Sequence, residues 1–231
     1  MSDRSVALLE LARRRQATRW PGYGCVGDYQ GGVYECDFVS PYTKSASNAS
    51  ALLMVLLQDW ASDGGLRGPV HPEGILLGHD PKRPTNRRLK QLLRKHFQLE
   101  LENTYATNIF PFIKQGAMDA QIPMRDLIRA AREFAIPQIK IIKPVVAVCL
   151  GKAAYNAVAI AAGHHPAPML ADAIATPFRL GQTEVWCQPH PGRNSVDRVG
   201  RHWERMAAAY KSELHRRRES SSFQARSRLP T

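Results

Sequence analysis

The chain has 231 residues, 44% of them hydrophobic, and a formal net charge of +12. That length and apolar content suffice for one α/β unit with extensions, and no apolar run approaches the roughly 18 residues of a membrane span. No signal peptide is visible, so a cytoplasmic protein with no membrane partner is expected. The charge excess suits a polyanion, most simply nucleic acid, although a basic balance is as often only a solvated surface. The four cysteines, Cys25, Cys36, Cys149 and Cys187, are too few and too scattered for a disulfide framework, and no C-x-x-C pair marks a metal site.

In chain order, Ser5 to Arg15 reads as an amphipathic helix that offers Val6, Leu8, Leu9 and Leu11 to a core and carries Arg13, Arg14 and Arg15 in its last turn. From Trp20 to Asn48 repeated glycines and Pro41 break every period, while Tyr23, Tyr29, Tyr34 and Tyr42 supply aromatic surface for a packed extension or a substrate cover. Residues 1–50 are therefore set apart from a domain over 51–214. Ala51 to Trp60, ALLMVLLQDW, holds seven apolar residues without helical spacing and ends in Gln58-Asp59. It reads as a strand buried on both faces, delivering polar side chains to its carboxyl end, where open α/β sheets keep their chemistry. A buried helix segment, with Asp59 capping the next element of the chain, is the alternative.

Glu73 to Gly78 is a short second apolar run, and Pro84-Thr85-Asn86 opens a helix with Leu89, Leu92, Leu93 and Phe97 on its buried side. Thr104 to Ile109 reads as a strand, Pro123 to Phe134 as a helix, Val145 to Leu150 as a buried strand and Gly151 to Ala161 as a helix. Glu184 to Gln188 is the last strand and Ser195 to Leu214 the last long helix, with an Arg- and Ser-rich tail, 215–231, expected to be disordered. This alternation argues for a largely parallel sheet covered on both faces. Gly151-Lys152 lacks the first glycine of a phosphate-binding loop, which would stand at Val146, and His164-His165 has no partner at a metal-binding interval. G-x-S-x-G does not occur.

Several segments in a fixed order carry more. Leu57-Gln58-Asp59-Trp60-Ala61 ends the first strand, and Pro84-Thr85-Asn86-Arg87 opens a helix. Asn108 ends a later strand, VVAVCLGKAAYN comes after it, and His190-Pro191-Gly192-Arg193-Asn194 comes last. In this order and spacing the chain from about Ala51 to Lys211 resembles the uracil-DNA glycosylase superfamily, whose motifs at these places are Gly-Gln-Asp-Pro-Tyr, Pro-Pro-Ser-Leu, a uracil-reading asparagine, a strand followed by Gly and a helix, and His-Pro-Ser-Pro-Leu. The resemblance implies a three-layer α/β/α sandwich around a four-stranded, mainly parallel sheet. It implies a monomeric DNA repair enzyme that hydrolyses the N-glycosidic bond of uracil in DNA and leaves an abasic site, without a metal or other cofactor. The iron-sulfur branch of the superfamily is not matched by the cysteine spacing.

The residue types suit that chemistry. Cleaving a base from deoxyribose builds positive charge on the sugar and negative charge on the base, so a carboxylate and a hydrogen-bond donor are needed on opposite sides of the bond. Asp59 and His190 are the catalytic candidates, with Gln58 and Trp60 beside Asp59 counted for substrate binding. Asp80, in Gly78-His79-Asp80-Pro81, is the rival carboxylate. An Asn108 amide can accept from uracil N3–H and donate to a uracil carbonyl, while cytosine offers the reverse pattern. Phe110 and Phe112 are candidates to stack on a flipped base. Arg193, Asn194, Arg198, Arg201 and Arg205 are the DNA-binding candidates. Two departures stand out: Ala61 occupies the place of a thymine-excluding tyrosine, and Arg193-Asn194 the place of a leucine wedge. The alternatives are a non-catalytic protein of the same fold that holds damaged or single-stranded DNA, and an α/β enzyme acting on free nucleotides.

Overall fold

The computed structural model describes residues 2–192 and 196–226; for Asp197, Arg198 and residues 217–226 it describes the backbone only. The elements run α1 (Asp3–Ala17), β1 (Tyr23–Gly24), β2 (Leu53–Asp59), α2 (Asp63–Leu66), α3 (Pro72–Leu77), α4 (Pro84–Phe97), β3 (Tyr105–Phe110) and β4 (Ile113–Lys114). They continue with α5 (Met124–Ala130), α6 (Ile136–Ile142), β5 (Val146–Leu150), α7 (Lys152–Ala161), α8 (Leu170–Ala175), β6 (Phe178–Leu180), β7 (Thr183–Gln188) and α9 (Val196–Arg226).

The main sheet has the order β3-β2-β5-β7-β6, parallel except for β6. It has five strands where four are expected. The extra one, β6, forms a hairpin with β7 through Gly181 at φ +60°, and its three residues are too few and too exposed to show as an apolar run. Helices on both faces complete an α/β/α sandwich. Alternation along the strands sorts the core: Met54, Leu56, Ala147 and Cys149 face α5, α6 and α7, whereas Leu53, Val55, Leu57, Val146 and Val148 face α4 and α9. α9 lays Val199, Trp203, Met206 and Tyr210 on that second face at helical spacing, and Phe97 of α4 meets the rings of Trp203 and Tyr210 edge to face.

Three segments differ from the expected reading. Glu73 to Gly78 lies in helix α3, opened by Pro72 and closed by Gly78 at φ +72°. The helix expected to stop at Phe134 continues to Ile142 through a wide π turn, Ala131–Ala135. Pro137 explains that turn: it has no N–H for the Glu133 carbonyl and its ring crowds the preceding turn, and Arg14 donates to that carbonyl instead. α9 runs past Leu214 to Arg226, with Arg216 ion-paired to Glu213 one turn back.

The N-terminal extension is held together internally by a buried cation. Arg15 is fully buried, pairs with Glu35 at 2.5 Å, and donates to the carbonyls of Cys36 and Phe38 at 2.9 and 2.7 Å. Those bonds fix the backbone that leads to Ser40 and Tyr42. The two-stranded pairing of β1 with β4 ties the extension to the domain. Among the described residues no helix is long and apolar enough to cross a membrane.

Candidate active site

The carboxyl ends of β2 and β3 meet in register, with Leu57 opposite Asn108. Beyond Leu57 the next residue on the same strand face is Asp59, so strand periodicity brings a carboxylate and an amide to one side of the sheet, facing the start of α4. Both line a cavity of about 170 Å³.

Asp59 is held at both oxygens. Gln58 Nε2 donates to Oδ1 at 3.0 Å, and the Lys114 ammonium lies 2.8 Å from Oδ2. The two charged side chains are only 8% and 5% exposed. Oδ2 accepts no directed hydrogen bond among the described residues, so the lysine acts on it as a charge. The ammonium donates instead to the Met118 carbonyl at 2.6 Å. Lys114 is brought there by the β1–β4 pairing and by a bridge to Ser62, three residues beyond Asp59. Nothing in the sequence marks it apart from one lysine closing the apolar run IFPFIK.

The Asn108 amide is 1% exposed. Its Oδ1 accepts from the Ser40 hydroxyl at 2.6 Å, and Ser40 Oγ accepts from the Tyr42 N–H at 3.2 Å. Nδ2 has no partner among the described residues. A buried donor without a partner costs free energy unless a ligand supplies an acceptor, which marks this group as a recognition point.

Aromatic and polar groups from three loops close the cavity. Tyr42 stacks on His79 with centroids 5.0 Å apart, and its hydroxyl donates to Asn86 Oδ1 at 2.9 Å while Asn86 Nδ2 donates to the Asp80 carbonyl at 2.6 Å. Burial raises the Tyr42 phenol above its ordinary range and lowers the His79 imidazole below its own, helped by the charge of Lys90. His79 Nδ1 lies 2.9 Å from Ser45 Oγ and 3.2 Å from the Leu77 carbonyl. Trp60 donates from Nε1 to the Gly78 carbonyl at 2.7 Å and meets Tyr34 edge to face. Gly78 lets the end of α3 press onto the turn at Pro41 and Tyr42: a Cβ there would stand 1.6 Å from the Pro41 carbonyl oxygen. Ala61 lines the wall next to Trp60.

Of the remaining candidates, Asp80 lines the same cavity, with Oδ1 accepting from the Lys82 N–H at 2.8 Å and Oδ2 3.9 Å from Arg83. His190 does not line it but stands just beyond the carboxyl end of β7, half-buried. The Gly192 N–H donates to its Nδ1 at 3.2 Å, which places the neutral ring's proton on Nε2. This loop is pressed onto the start of α4, because a Cβ on Gly192 would meet Thr85 Oγ1 at 2.4 Å, and Thr85 lines the cavity. Arg88 of α4 donates to the Pro191 and Gly192 carbonyls, clamping the loop.

Phe110 and Phe112 lie away from the cavity. They are fully buried and pack with Trp20 in the core, where Phe112 also meets Phe134, while Tyr42 and Trp60 supply the aromatic walls. Arg193 and Asn194 fall outside the described residues, as does the side chain of Arg198. Arg201 is exposed on α9. Arg205 folds onto the protein itself, its guanidinium 5.2 Å above the Trp186 ring and donating to the Ala175 carbonyl at 3.2 Å.

A family model described as the uracil DNA glycosylase superfamily matches residues 67–213, more than half of the chain. The chain belongs to that superfamily. Membership supports a DNA glycosylase-type activity, with DNA as the partner. Comparison with curated proteins gives no match. The stretch that matches the superfamily contains Asp80, Asn108, Lys114 and His190, whereas Ser40, Tyr42 and Asp59 precede it.

Proposed function

We propose that the protein removes uracil from DNA by hydrolysing the N-glycosidic bond. The observation that carries this reading is the Asn108 amide, buried at the end of a 170 Å³ cavity with Nδ2 unpartnered among the described residues and Asp59 beside it on the same sheet face. Nδ2 donates to uracil O4 and Oδ1, with a second lone pair to spare, accepts from N3–H. Asp59 faces the sugar, where its charge stabilises the developing cation and positions the attacking water. His190 donates from Nε2 toward the uracil oxygen nearest the bond as negative charge builds on the leaving base.

Size favours a base in a polymer over a free nucleotide. The cavity is smaller than the roughly 300–1,000 Å³ of a usual small-molecule site, so it suits one flipped heterocycle whose sugar and phosphates stay outside. Exposed basic residues at the start of α4, Lys82, Arg83 and Arg87, and Arg201 on α9 are suited to the phosphates. The test is incubation with a single-uracil oligonucleotide followed by hot alkali. Cleavage at the uracil is expected; binding to the oligonucleotide without alkali-labile sites would point instead to a binding protein of this fold.

A further inference from the structure

We infer that Ser40 sets the choice between uracil and cytosine, by locking the Asn108 amide in the orientation that matches uracil. This rests on the proposed reading of uracil and adds a residue that precedes the family match.

Uracil presents N3–H as a donor and O4 as an acceptor, while cytosine presents N3 as an acceptor and its 4-amino group as a donor. An amide turned by 180° about its last bond exchanges oxygen and nitrogen, so one asparagine fits either base according to which way it faces. Discrimination therefore requires something that forbids the turn. Ser40 Oγ already accepts from the Tyr42 N–H, and its single proton goes to Asn108 Oδ1 at 2.6 Å. Ser40 is fully buried and Asn108 is 1% exposed, so water does not substitute freely for that contact. Turning the amide sets Nδ2 against Oγ and leaves the serine proton without its acceptor. A lost buried hydrogen bond of this kind shifts an equilibrium by about tenfold or more. Ser40 is itself fixed, because it caps the short 3-10 turn Pro41–Ser45 through that same Tyr42 bond.

The test compares removal of uracil and of cytosine from otherwise identical single-stranded oligonucleotides by the full chain and by Ser40→Ala, as kcat/KM. Uracil removal should persist at a reduced rate in the variant while the uracil-to-cytosine ratio falls at least about tenfold. Thr43→Val is the control for a merely structural role. Thr43 is equally buried on the same turn, but its hydroxyl donates to the Ala106 carbonyl at 2.8 Å and has no bond to the amide, so its loss should leave the ratio where it was. Should Ser40→Ala fail to fold, Ser40→Cys, close in size and a much weaker donor, must show the same fall. An unchanged ratio in a Ser40 variant that still removes uracil, or an equal fall in Thr43→Val, would overturn the role of Ser40 and leave the base assignment standing. A wild-type protein that removes no uracil would overturn the base assignment, and this inference with it.

Discussion

Replacing Lys114 by methionine is the sharpest probe of the site, because it removes one charge of a buried pair while roughly keeping its volume. The Asp59 side chain, 8% exposed, then loses the ammonium that stands 2.8 Å from Oδ2, and the Met118 carbonyl loses its donor. Leaving one charge of a buried pair unmatched costs about 3–5 kcal/mol, while the near-equal volume adds little cavity cost. In urea denaturation the midpoint should drop accordingly with an unchanged slope. The double variant Lys114→Met with Asp59→Asn should recover about 2 kcal/mol or more of that loss, since a neutral replacement of both partners is often harmless. Glycosylase turnover should be lost in both. Free-energy changes that add within about 0.5 kcal/mol would show that the two charges are not coupled in solution, and the account of how Asp59 is held would fall.

Asp59→Asn and His190→Ala should each lower uracil removal by about 10²-fold or more without unfolding the chain, and Asp80→Asn much less. If Asp80→Asn proves the inactive variant, the two carboxylates exchange roles. Asn108→Asp should gain measurable cytosine removal and lose most uracil removal, because a carboxylate accepts from the amino group but cannot donate to O4; retained uracil preference would mean that Asn108 does not read the base. Because Ala61 lines the cavity and Trp60 is hydrogen-bonded to the Gly78 carbonyl, thymine and 5-hydroxymethyluracil in mismatched duplexes should be processed better than by relatives with a tyrosine at the place of Ala61; strict rejection of both would contradict this. His79 and His96 are both lowered by burial from an ordinary 6.5, so the unfolded chain binds protons that the fold does not. Their stabilising effect is present above about pH 6.5 and is lost below it, so urea midpoints should fall from about pH 7.5 to about pH 5.5, less steeply in His96→Gln; a flat profile would refute it.

The sheet was legible where burial on both faces writes a mostly apolar segment, as in β2, β3, β5 and β7, and β2 and β3 carry the polar residues that line the cavity. Asp59 and Asn108 could be paired from sequence because each stands near the carboxyl end of such a strand. β6 was not legible: at three half-exposed residues it exists only as the hairpin partner of β7. α3 and the continuation past Phe134 were hidden for another reason. Six residues are too short for a helical period to declare itself, and Pro137 reads as a stop unless the carbonyl it leaves unpaired is known to meet Arg14. Phe110 and Phe112 show the limit of proximity along the chain, since their nearness to Asn108 in sequence did not carry their rings into its cavity.

The groups around the cavity that sequence missed fall on both sides of the start of the matched region: His79, Asn86 and Lys114 lie within it, Ser40 and Tyr42 before it. Ser40 and Tyr42 belong to an irregular stretch with no periodicity, and their position depends on Arg15, a buried guanidinium at the end of a helix whose neighbours Arg13 and Arg14 are exposed. No local pattern distinguishes the last arginine of three. It is singled out only by the Glu35 carboxylate and the two carbonyls it satisfies, groups that lie about 20 residues further along the chain. A fully buried arginine needs such partners, because its charge cannot be shed by deprotonation. Arg15 thus joins α1 to the stretch that carries Ser40, and the Ser40 hydroxyl joins that stretch to β3. On the proposed reading labour is divided: the strand ends and the His190 loop bring the groups suited to bond cleavage, and the extension brings the hydroxyl that fixes how the Asn108 amide faces.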